Sequence, residues 1–457
     1  MGQQGQLRMQ KSNQRVYLIK IAIVGGLTLL LILGIGALRA ITPSPDTDSA
    51  SASVISRLIS KSPPDRPNPA SKKRDYLKKS DWPQGLRIYR DWWKERDAAV
   101  YVAEMRRESR NLRFGVELAN NRLLGRETIS SMAGRLAQQD IPLLAGVNGS
   151  FGLRGDRVGR GGVIFNLHIQ DWELVSIAPR RDWWGFPPPS PWGETSFGVT
   201  TDGEFLLDAV ELNGIIQING ESLEVDCINQ IPEADCAAVL YTPRFGEETL
   251  ARRSYEVTLK GLELPLTGRY RNRFKIDAVN RRGNSGIPSN GVVLALDYQL
   301  AIKWDATFRA GGTGTLEIAL SPAKWQRVSD GIGGNLRLLR NGKIEPELVE
   351  FHQSGGRSNY RHRNGARLNP RSALGFNDDK LFLIAVDGRQ YGYSIGMTLY
   401  EMAGFLRDLG AKHAINFDGG SSSALWGLDD IVNRPSRGYE RSVFNVAMIT
   451  TQRKVKK

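Results

Sequence analysis

The most regular patterns in the chain are strand-like apolar runs bounded by glycine, asparagine or proline. Four of them lie within residues 98–168, with the sequences AAVYVAEM, FGVELAN, IPLLAGVN and GGVIFNLH. Runs rich in Val, Ile and aromatic residues with such boundaries are typical of β-strands. Between the second and third runs, Ile129, Met132 and Leu136 recur at helical spacing, which predicts a helix over residues 127–139.

Short alternating runs continue through residues 196–330, among them YEVTLKG, GVVLALD and TLEIALS, so this section is predicted to be almost wholly β. The pattern changes near the C-terminus, where KLFLIAVDGR predicts a buried strand and residues 398–408 a helix. Thr398 and Glu401 fit a capping box at the start of that helix, and Gly410 fits its end. AKHAINFD is then the next strand.

This strand–helix–strand unit contains two acidic residues that directly follow its strands. Asp387 follows the first strand and Asp418 the second. Strands joined through a helix are expected to share a sheet, so both residues are predicted to lie at the same edge of it. The patterns together predict an α+β fold of strand-rich mixed sheets with a few helices. We expect one domain over residues 86–452, with 196–330 as its β-rich section.

The N-terminal hydrophobic run is of a different kind. Residues 21–38 are uncharged over eighteen positions, close to the length of a membrane-spanning helix. Basic residues precede the run and acidic residues follow it, so residues 1–20 are predicted to be cytoplasmic and the C-terminal domain periplasmic or extracellular. A cleaved signal peptide is the alternative, although ALRA at 37–40 is a poor cleavage site. Residues 39–85, rich in Ser, Pro and Lys, predict a flexible, disordered tether.

The net charge of +14 is distributed unevenly along the 457 residues. Residues 1–110 contain 20 Lys and Arg against 10 Asp and Glu, whereas the remainder contains 42 against 38. The basic excess therefore lies beside the predicted membrane segment, where it would favour an anionic surface. It does not indicate nucleic-acid binding by the folded domain.

Several familiar catalytic patterns are absent from the sequence. There is no Walker A loop, HExxH or GxSxG motif, and the four histidines lie in no triad context. Cys227 and Cys236 are the only cysteines and have no histidine near them, which argues against zinc. In an exported domain they are expected to form a disulfide, with two buried thiols as the alternative.

The candidate chemistry lies in glycine-rich turns that carry Asn, Asp and Arg, namely VNGSF, SDGIGGN, NPRSALG, VDGR and FDGGSSS. Any one of them could be only a tight turn. Together they offer arginines for an anionic group, carboxylates as base or nucleophile, and amides of Gly419, Gly420 and Ser421 as an anion-binding nest. This combination suits a substrate that carries phosphate.

In chain order, NGSFG, YTPRFG, SDGIGGN, NPRSALGF, AVDGR and SIGMTLYEMAGFLRDLGAKHAINFDGGSSSALW resemble the phosphodiester glycosidase family. That family includes the enzyme that uncovers mannose-6-phosphate. The resemblance runs over residues 101–450 and is strongest over residues 369–426. Four positions depart from the family pattern: Asn369 replaces a histidine, Ser372 a threonine, Asn335 a proline and Phe417 a leucine. The replacement of the histidine matters most for activity, because a histidine at this position could act as an acid or base in the relatives.

The resemblance implies hydrolysis of the bond between a sugar and a phosphodiester oxygen, of the N-acetylglucosamine-1-phosphodiester type, in envelope polysaccharide. It implies Asp418 as the catalytic carboxylate and Asp387 as the second one. The residues expected to bind substrate are Asn148, Arg371, Arg389, Asn416, Gly419, Gly420, Ser421, Ser422 and Arg441. No cofactor is expected, although the two aspartates could bind Mg²⁺ or Ca²⁺. The alternatives are a non-catalytic protein that binds a glycan or phosphopolymer, and a structural envelope module.

Overall fold

The structure is a computed structural model that describes residues 74–77, 82–93, 95, 97–155, 159–178, 195–231, 236–354 and 365–451. The predicted cytoplasmic tail, membrane helix and most of the tether lie outside these residues. Among the described residues, no helix has the length and apolar character needed to cross a membrane. The described residues belong to one compact unit.

The strands before residue 180 are β1 (Asp75–Leu77), β2 (Leu86–Trp93), β3 (Ala98–Arg106), β4 (Leu112–Leu118), β5 (Leu143–Asn148), β6 (His168–Gln170) and β7 (Glu173–Ser176). Those of the middle section are β8 (Thr195–Thr200), β9 (Phe205–Ala209), β10 (Glu211–Ile218), β11 (Glu221–Val225), β12 (Cys227–Ile228), β13 (Ala238–Tyr241), β14 (Tyr255–Lys260), β15 (Arg269–Asn280), β16 (Gly291–Leu296) and β17 (Thr313–Ser321). The last are β18 (Val328–Gly333), β19 (Arg337–Arg340), β20 (Lys343–Ile344), β21 (Arg371–Phe376), β22 (Lys380–Val386), β23 (His413–Asn416), β24 (Leu425–Gly427), β25 (Asp430–Ile431) and β26 (Asn445–Thr451). The α-helices are α1 (Ile129–Ala137), α2 (Tyr298–Trp304), α3 (Pro346–Gln353) and α4 (Leu399–Asp408).

The strands form four sheets within the described part of the chain. Sheet I has the order β1-β2-β3-β22-β21-β23-β19-β20, and sheet II the order β11-β10-β17-β15-β14-β16-β13-β12. Sheet III is β7-β6-β18-β8-β9, and sheet IV is β25-β24-β5-β26-β4. Sheet II is mixed, because β12 and β13 pair in parallel while its other pairs are antiparallel. This strand-rich architecture agrees with the predicted α+β class.

The C-terminal strand–helix–strand unit forms where the sequence predicts it. Thr398 accepts a hydrogen bond from the Glu401 amide at 3.1 Å, and the Glu401 carboxylate accepts one from the Thr398 amide at 2.8 Å. This capping box satisfies two amides that the first turn of α4 leaves unpaired. The strands β22 and β23 share sheet I, but β21 lies between them and is antiparallel to both. Asp387 and Asp418 therefore follow strand ends at the same edge, one strand apart.

One local prediction is wrong, and another holds with an exception. The run GGVIFNLH does not form a strand, since only His168 belongs to β6. Gly162 has φ +115°, and the backbone of Leu123 and Gly125 comes so close that a Cβ on Gly162 would clash, so the segment packs on that turn. In the section predicted to be almost wholly β, helix α2 follows Asp297, whose carboxylate accepts from the Leu300 amide.

One apolar core joins three of the sheets. Leu383 of sheet I, Ile332 of sheet III and Val147 of sheet IV belong to the same buried cluster. Burial of each such side chain contributes about 1.5–3 kcal/mol to folding. On the other face of sheet I, Met402 and Leu406 of α4 join a second buried cluster. The shared core fixes the turns that follow β5, β18 and β23 relative to one another.

Cys227 of β12 forms a disulfide with Cys236, and their Cα atoms are 5.9 Å apart. Both residues are fully buried, in a cluster that also contains Tyr241 and Phe245. The bond therefore lies within the packed interior, beside sheet II.

Candidate functional site

All five of the predicted turns contribute residues to the lining of one cavity of about 250 Å³. The Asp418 amide donates to the Gly149 carbonyl at 2.9 Å, which joins the turn after β23 to the turn after β5. The Phe417 amide donates to the Ser372 carbonyl at 2.9 Å, which joins the same turn to β21. These main-chain bonds set the cavity wall before any substrate is present.

Asp418 lines this cavity and is partly exposed to it. Burial is the largest influence on its carboxyl group and raises its pKa. Hydrogen bonds from the Ser422 side chain and the Gly419 amide oppose that rise, as do the positive charges of Arg154 and Arg441. Asp418 is therefore an ionisable carboxylate held between an apolar wall and a cationic one.

Arg371 also lines the cavity but is buried, with its guanidinium group braced by main-chain carbonyls. Its Nε donates to the Met397 carbonyl at 2.9 Å and its Nη2 to the Arg367 carbonyl at 2.8 Å. Burial, assisted by the charge of Arg389, lowers the pKa of Arg371 to about 10. The group therefore stays cationic at neutral pH and adds positive charge beneath the cavity.

Arg389 is held by the residue that replaces the family histidine. Its Nε and Nη2 both donate to Asn369 Oδ1, at 3.1 and 3.0 Å. Gly420 lies against this guanidinium, since a Cβ on it would be 3.1 Å from Nη2, and its φ of +66° also favours glycine. Asn369 thus orients a cation at the cavity, which is a positioning role.

Further arginines cluster beside the Asp418 turn. Arg441 Nη1 donates to Ser421 Oγ at 2.8 Å. Besides burial, the charges of Arg154, Arg126 and Arg437 lower the pKa of Arg441, which places four guanidinium groups close together. Such a cluster favours an anionic ligand.

Asp387 does not line the cavity, although it was predicted as the second carboxylate. Its carboxylate accepts hydrogen bonds from Asn433 Nδ2 at 2.8 Å, from the Arg434 amide at 3.0 Å and from Tyr393 Oη at 3.1 Å. Burial raises its pKa to about 6. Because these internal donors occupy both oxygens, the geometry gives Asp387 the role of fixing the Asn433–Arg434 loop.

The side-chain amide of Asn148 is likewise hydrogen-bonded to other groups of the protein. Its Nδ2 donates to the Asp418 carbonyl at 2.6 Å, and its Oδ1 accepts from Ser372 Oγ at 2.7 Å and the Ala424 amide at 3.2 Å. It is also buried, with only 1% of its surface exposed. Asn148 therefore holds the Asp418 turn in place instead of facing a ligand.

Two of the three main-chain amides predicted to bind an anion are already hydrogen-bonded within the protein. The Gly420 amide donates to the Pro370 carbonyl at 2.8 Å, and the Gly419 amide bonds the Asp418 carboxylate. The serines form only a three-residue 3₁₀ turn, Gly420–Ser422. Arginine side chains, and not these amides, supply the positive character of the cavity.

Three polar lining residues, Arg154, Asn335 and Asn369, were not among the predicted site residues. Asn335 ends the SDGIGGN motif, which was itself recognised, and the predicted Asn416 lies beside it in the cavity. Arg154 follows NGSFG by two positions, and only the fold shows that it reaches Asp418. Among the described residues, no cluster of three or more His, Cys, Asp or Glu could hold a metal ion.

Solved structures show this fold at low sequence identity. A hypothetical protein of Synechocystis is 17% identical with a TM-score of 0.64, over 84% of this chain and 64% of that one. A Burkholderia pseudomallei protein described as exported is 19% identical with a TM-score of 0.58, over 77% and 74%. The present chain thus spans less than two thirds of the Synechocystis protein. These similarities concern the fold alone.

The catalytic domain of zebrafish N-acetylglucosamine-1-phosphodiester alpha-N-acetylglucosaminidase also matches, at 16% identity over 83% of this chain and 87% of that one. The TM-score of that match is 0.39. No curated protein matches the chain significantly. The family model described as phosphodiester glycosidase matches residues 269–450, which include Arg371, Arg389 and Asp418. The resemblance of the motifs to the phosphodiester glycosidase family is thereby confirmed over residues 269–450.

Proposed function

We propose that the cavity hydrolyses the bond between a sugar anomeric carbon and a phosphodiester oxygen, in a substrate of the N-acetylglucosamine-1-phosphodiester type. The observation that carries this proposal is the Asp418 carboxylate, which lines a cavity together with Arg154 and Arg389. The family match supports hydrolysis of phosphodiester glycosyl bonds in general. The roles of Asp418, Arg389 and Arg441 in the reaction, and N-acetylglucosamine as the sugar, are proposed in addition to this general activity.

In the proposed reaction the bond between C1 and the phosphate oxygen breaks, and its electron pair leaves with the phosphate. The ionised Asp418 stabilises the oxocarbenium-like transition state or accepts a proton from the attacking water. Arg389 and Arg441 neutralise the charge that develops on the departing phosphate. A phosphate monoester is a far better leaving group than an alcohol, so the reaction needs little help from a general acid. The replacement of the family histidine by Asn369 is compatible with this route.

The test measures free sugar released from an N-acetylglucosamine-1-phosphodiester by the protein and by Asp418→Asn. Replacing a catalytic carboxylate with an amide is expected to lower kcat by at least about 100-fold, since the amide neither accepts the proton nor carries charge. Asp429→Asn is the matched control, because Asp429 is exposed and outside the cavity. Equal rates for Asp418→Asn and the unchanged protein would remove Asp418 from the reaction. Saturable binding with no turnover by the unchanged protein would favour a non-catalytic glycan-binding protein.

We also propose that the protein is a single-pass membrane protein whose domain faces the periplasm or the cell exterior and acts on envelope polysaccharide. The uncharged run at residues 21–38 and the basic residues before it support this arrangement. Protease added outside intact spheroplasts is expected to degrade the domain but leave the N-terminal tail. A protein found in the soluble fraction after lysis, with its N-terminal segment removed, would instead show a cleaved signal peptide.

A further inference from the structure

Two asparagines that line the cavity have a buried side-chain oxygen with no hydrogen-bond partner in the described part of the chain. The two oxygens are Oδ1 of Asn335 and Oδ1 of Asn416. Each residue is only 4% exposed, and both line the cavity that contains Asp418. Buried polar groups are almost always paired in folded proteins, because an unpaired acceptor has lost its water without compensation. A donor is therefore expected from a molecule in the cavity.

The main chain holds these two residues beside each other. The Asn335 amide donates to the Asn416 carbonyl at 3.0 Å, and the Asn416 amide donates to the Leu336 carbonyl at 2.9 Å. Gly334 permits this approach, since a Cβ there would come within 2.5 Å of the Asn416 carbonyl oxygen. Asn416 is the last residue of β23 in sheet I, and the main-chain hydrogen bond holds Asn335, in the short connection between β18 and β19, against it.

The chemistry of the pair selects the kind of ligand. A neutral amide oxygen only accepts hydrogen bonds, and a phosphate oxygen at neutral pH also mainly accepts them, so phosphate does not satisfy the pair. Neutral oxygens do bind metal cations, but three arginines line the same cavity against the single carboxylate of Asp418, and their net positive charge disfavours a cation. Sugar hydroxyl groups are uncharged donors and fit both requirements.

We propose that Asn335 and Asn416 form a sugar subsite that binds two hydroxyl groups of the glycosyl ring, next to the phosphate held by the arginines. Asn335 is then a specificity-determining residue. This inference rests on the proposed function for the identity of the substrate. Binding of the sugar can nevertheless be measured without hydrolysis.

The experiment is calorimetric titration of the protein and Asn335→Leu with N-acetylglucosamine-1-phosphate and, separately, with inorganic phosphate. Leucine has a similar size but no polar atom. Loss of one hydrogen bond is expected to weaken sugar phosphate binding about 3- to 10-fold and to leave phosphate binding unchanged. Without ligand, the Tm of Asn335→Leu is expected to be unchanged or higher, because the variant no longer buries an unpaired acceptor. Asn272→Leu on β15 of sheet II is the matched control and should change neither affinity.

A lower Tm together with equal weakening of both ligands would make Asn335 structural and overturn the proposal. Unchanged sugar phosphate binding would also overturn it. Asn335→Ala repeats the measurement with a smaller side chain, so that a poor fit of leucine cannot produce the result. If the expected affinities are found in a protein that releases no sugar, hydrolysis fails while the sugar subsite stands.

Discussion

At the scale of single residues, Asp418 depends on the charges around it. Arg154 and Arg441 are the cations that lower its pKa against the effect of burial. The proposed reaction needs the ionised carboxylate, so activity should rise with pH as Asp418 loses its proton. The two arginines are therefore expected to extend activity toward lower pH.

Arg441→Gln tests this coupling. Removal of a nearby positive charge disfavours the carboxylate, so the pKa of Asp418 rises and the acid limb of kcat/KM moves to higher pH. Loss of a charged contact to phosphate should also reduce kcat/KM at neutral pH by roughly 10-fold. The measurement is the pH profile of sugar release. Arg437→Gln is the control, because Arg437 is exposed and influences Arg441 but is not among the charges acting on Asp418. The same acid limb in Arg441→Gln as in the unchanged protein would contradict the coupling.

The residue scale also shows what sequence alone cannot supply. Asp387 and Asp418 look alike in sequence, because each is followed by glycine at the end of an apolar strand. Their surroundings differ because Asn433 and Arg434, from a distant loop, bond the carboxylate of Asp387. The unpaired state of Asn335 likewise depends on long-range packing that no local pattern contains.

At the scale of elements, hydrophobic periodicity is sufficient to predict secondary structure where the residues of a segment determine its conformation by themselves. Helix α4 and strands β22 and β23 were predicted because their apolar spacing and capping residues agree with their final environment. GGVIFNLH was mispredicted because a contact with a distant turn decides its conformation. The insertion of β21 between β22 and β23 was also beyond local patterns, since strand order is a non-local property.

Asn148 links three of these elements and gives a prediction at this scale. It joins β5 to the Asp418 turn, to β21 through Ser372, and to the segment before β24 through Ala424. Asn148→Ala should lower the free energy of unfolding by roughly 3 kcal/mol, because it leaves buried groups unpaired. Urea unfolding measures the change, and Asn272→Ala serves as the control. A variant of unchanged stability that no longer binds sugar phosphate would instead favour the direct substrate contact expected from the sequence.

At the scale of the whole molecule, the fold of the described residues brings side chains that are far apart in sequence to one site. Arg154 lies outside the residues that match the family model, yet it lines the cavity with Asp418. The family range therefore does not contain the whole candidate site. The core shared by sheets I, III and IV explains this, because it unites the early strands with the late ones.

The disulfide bears on the proposed export of this molecule, because such bonds persist in oxidising compartments. Linking Cys227 to Cys236 restricts the unfolded chain, and a loop of this size is worth about 2–3 kcal/mol in the entropic account. The double variant Cys227→Ala with Cys236→Ala should lose about that much stability and should not respond to reductant. The unchanged protein should lose a similar amount when reduced.

The measurement is urea unfolding with and without reductant, together with sugar phosphate binding by the folded protein. Both cysteines are buried in the cluster with Tyr241 and Phe245, and neither lines the cavity, so the affinity of the folded protein should be unchanged. A double variant that is still destabilised by reductant would mean that the disulfide is not the source of the effect. Lost affinity in a fully folded double variant would show that this cluster shapes the site, and would contradict its independence from the cavity.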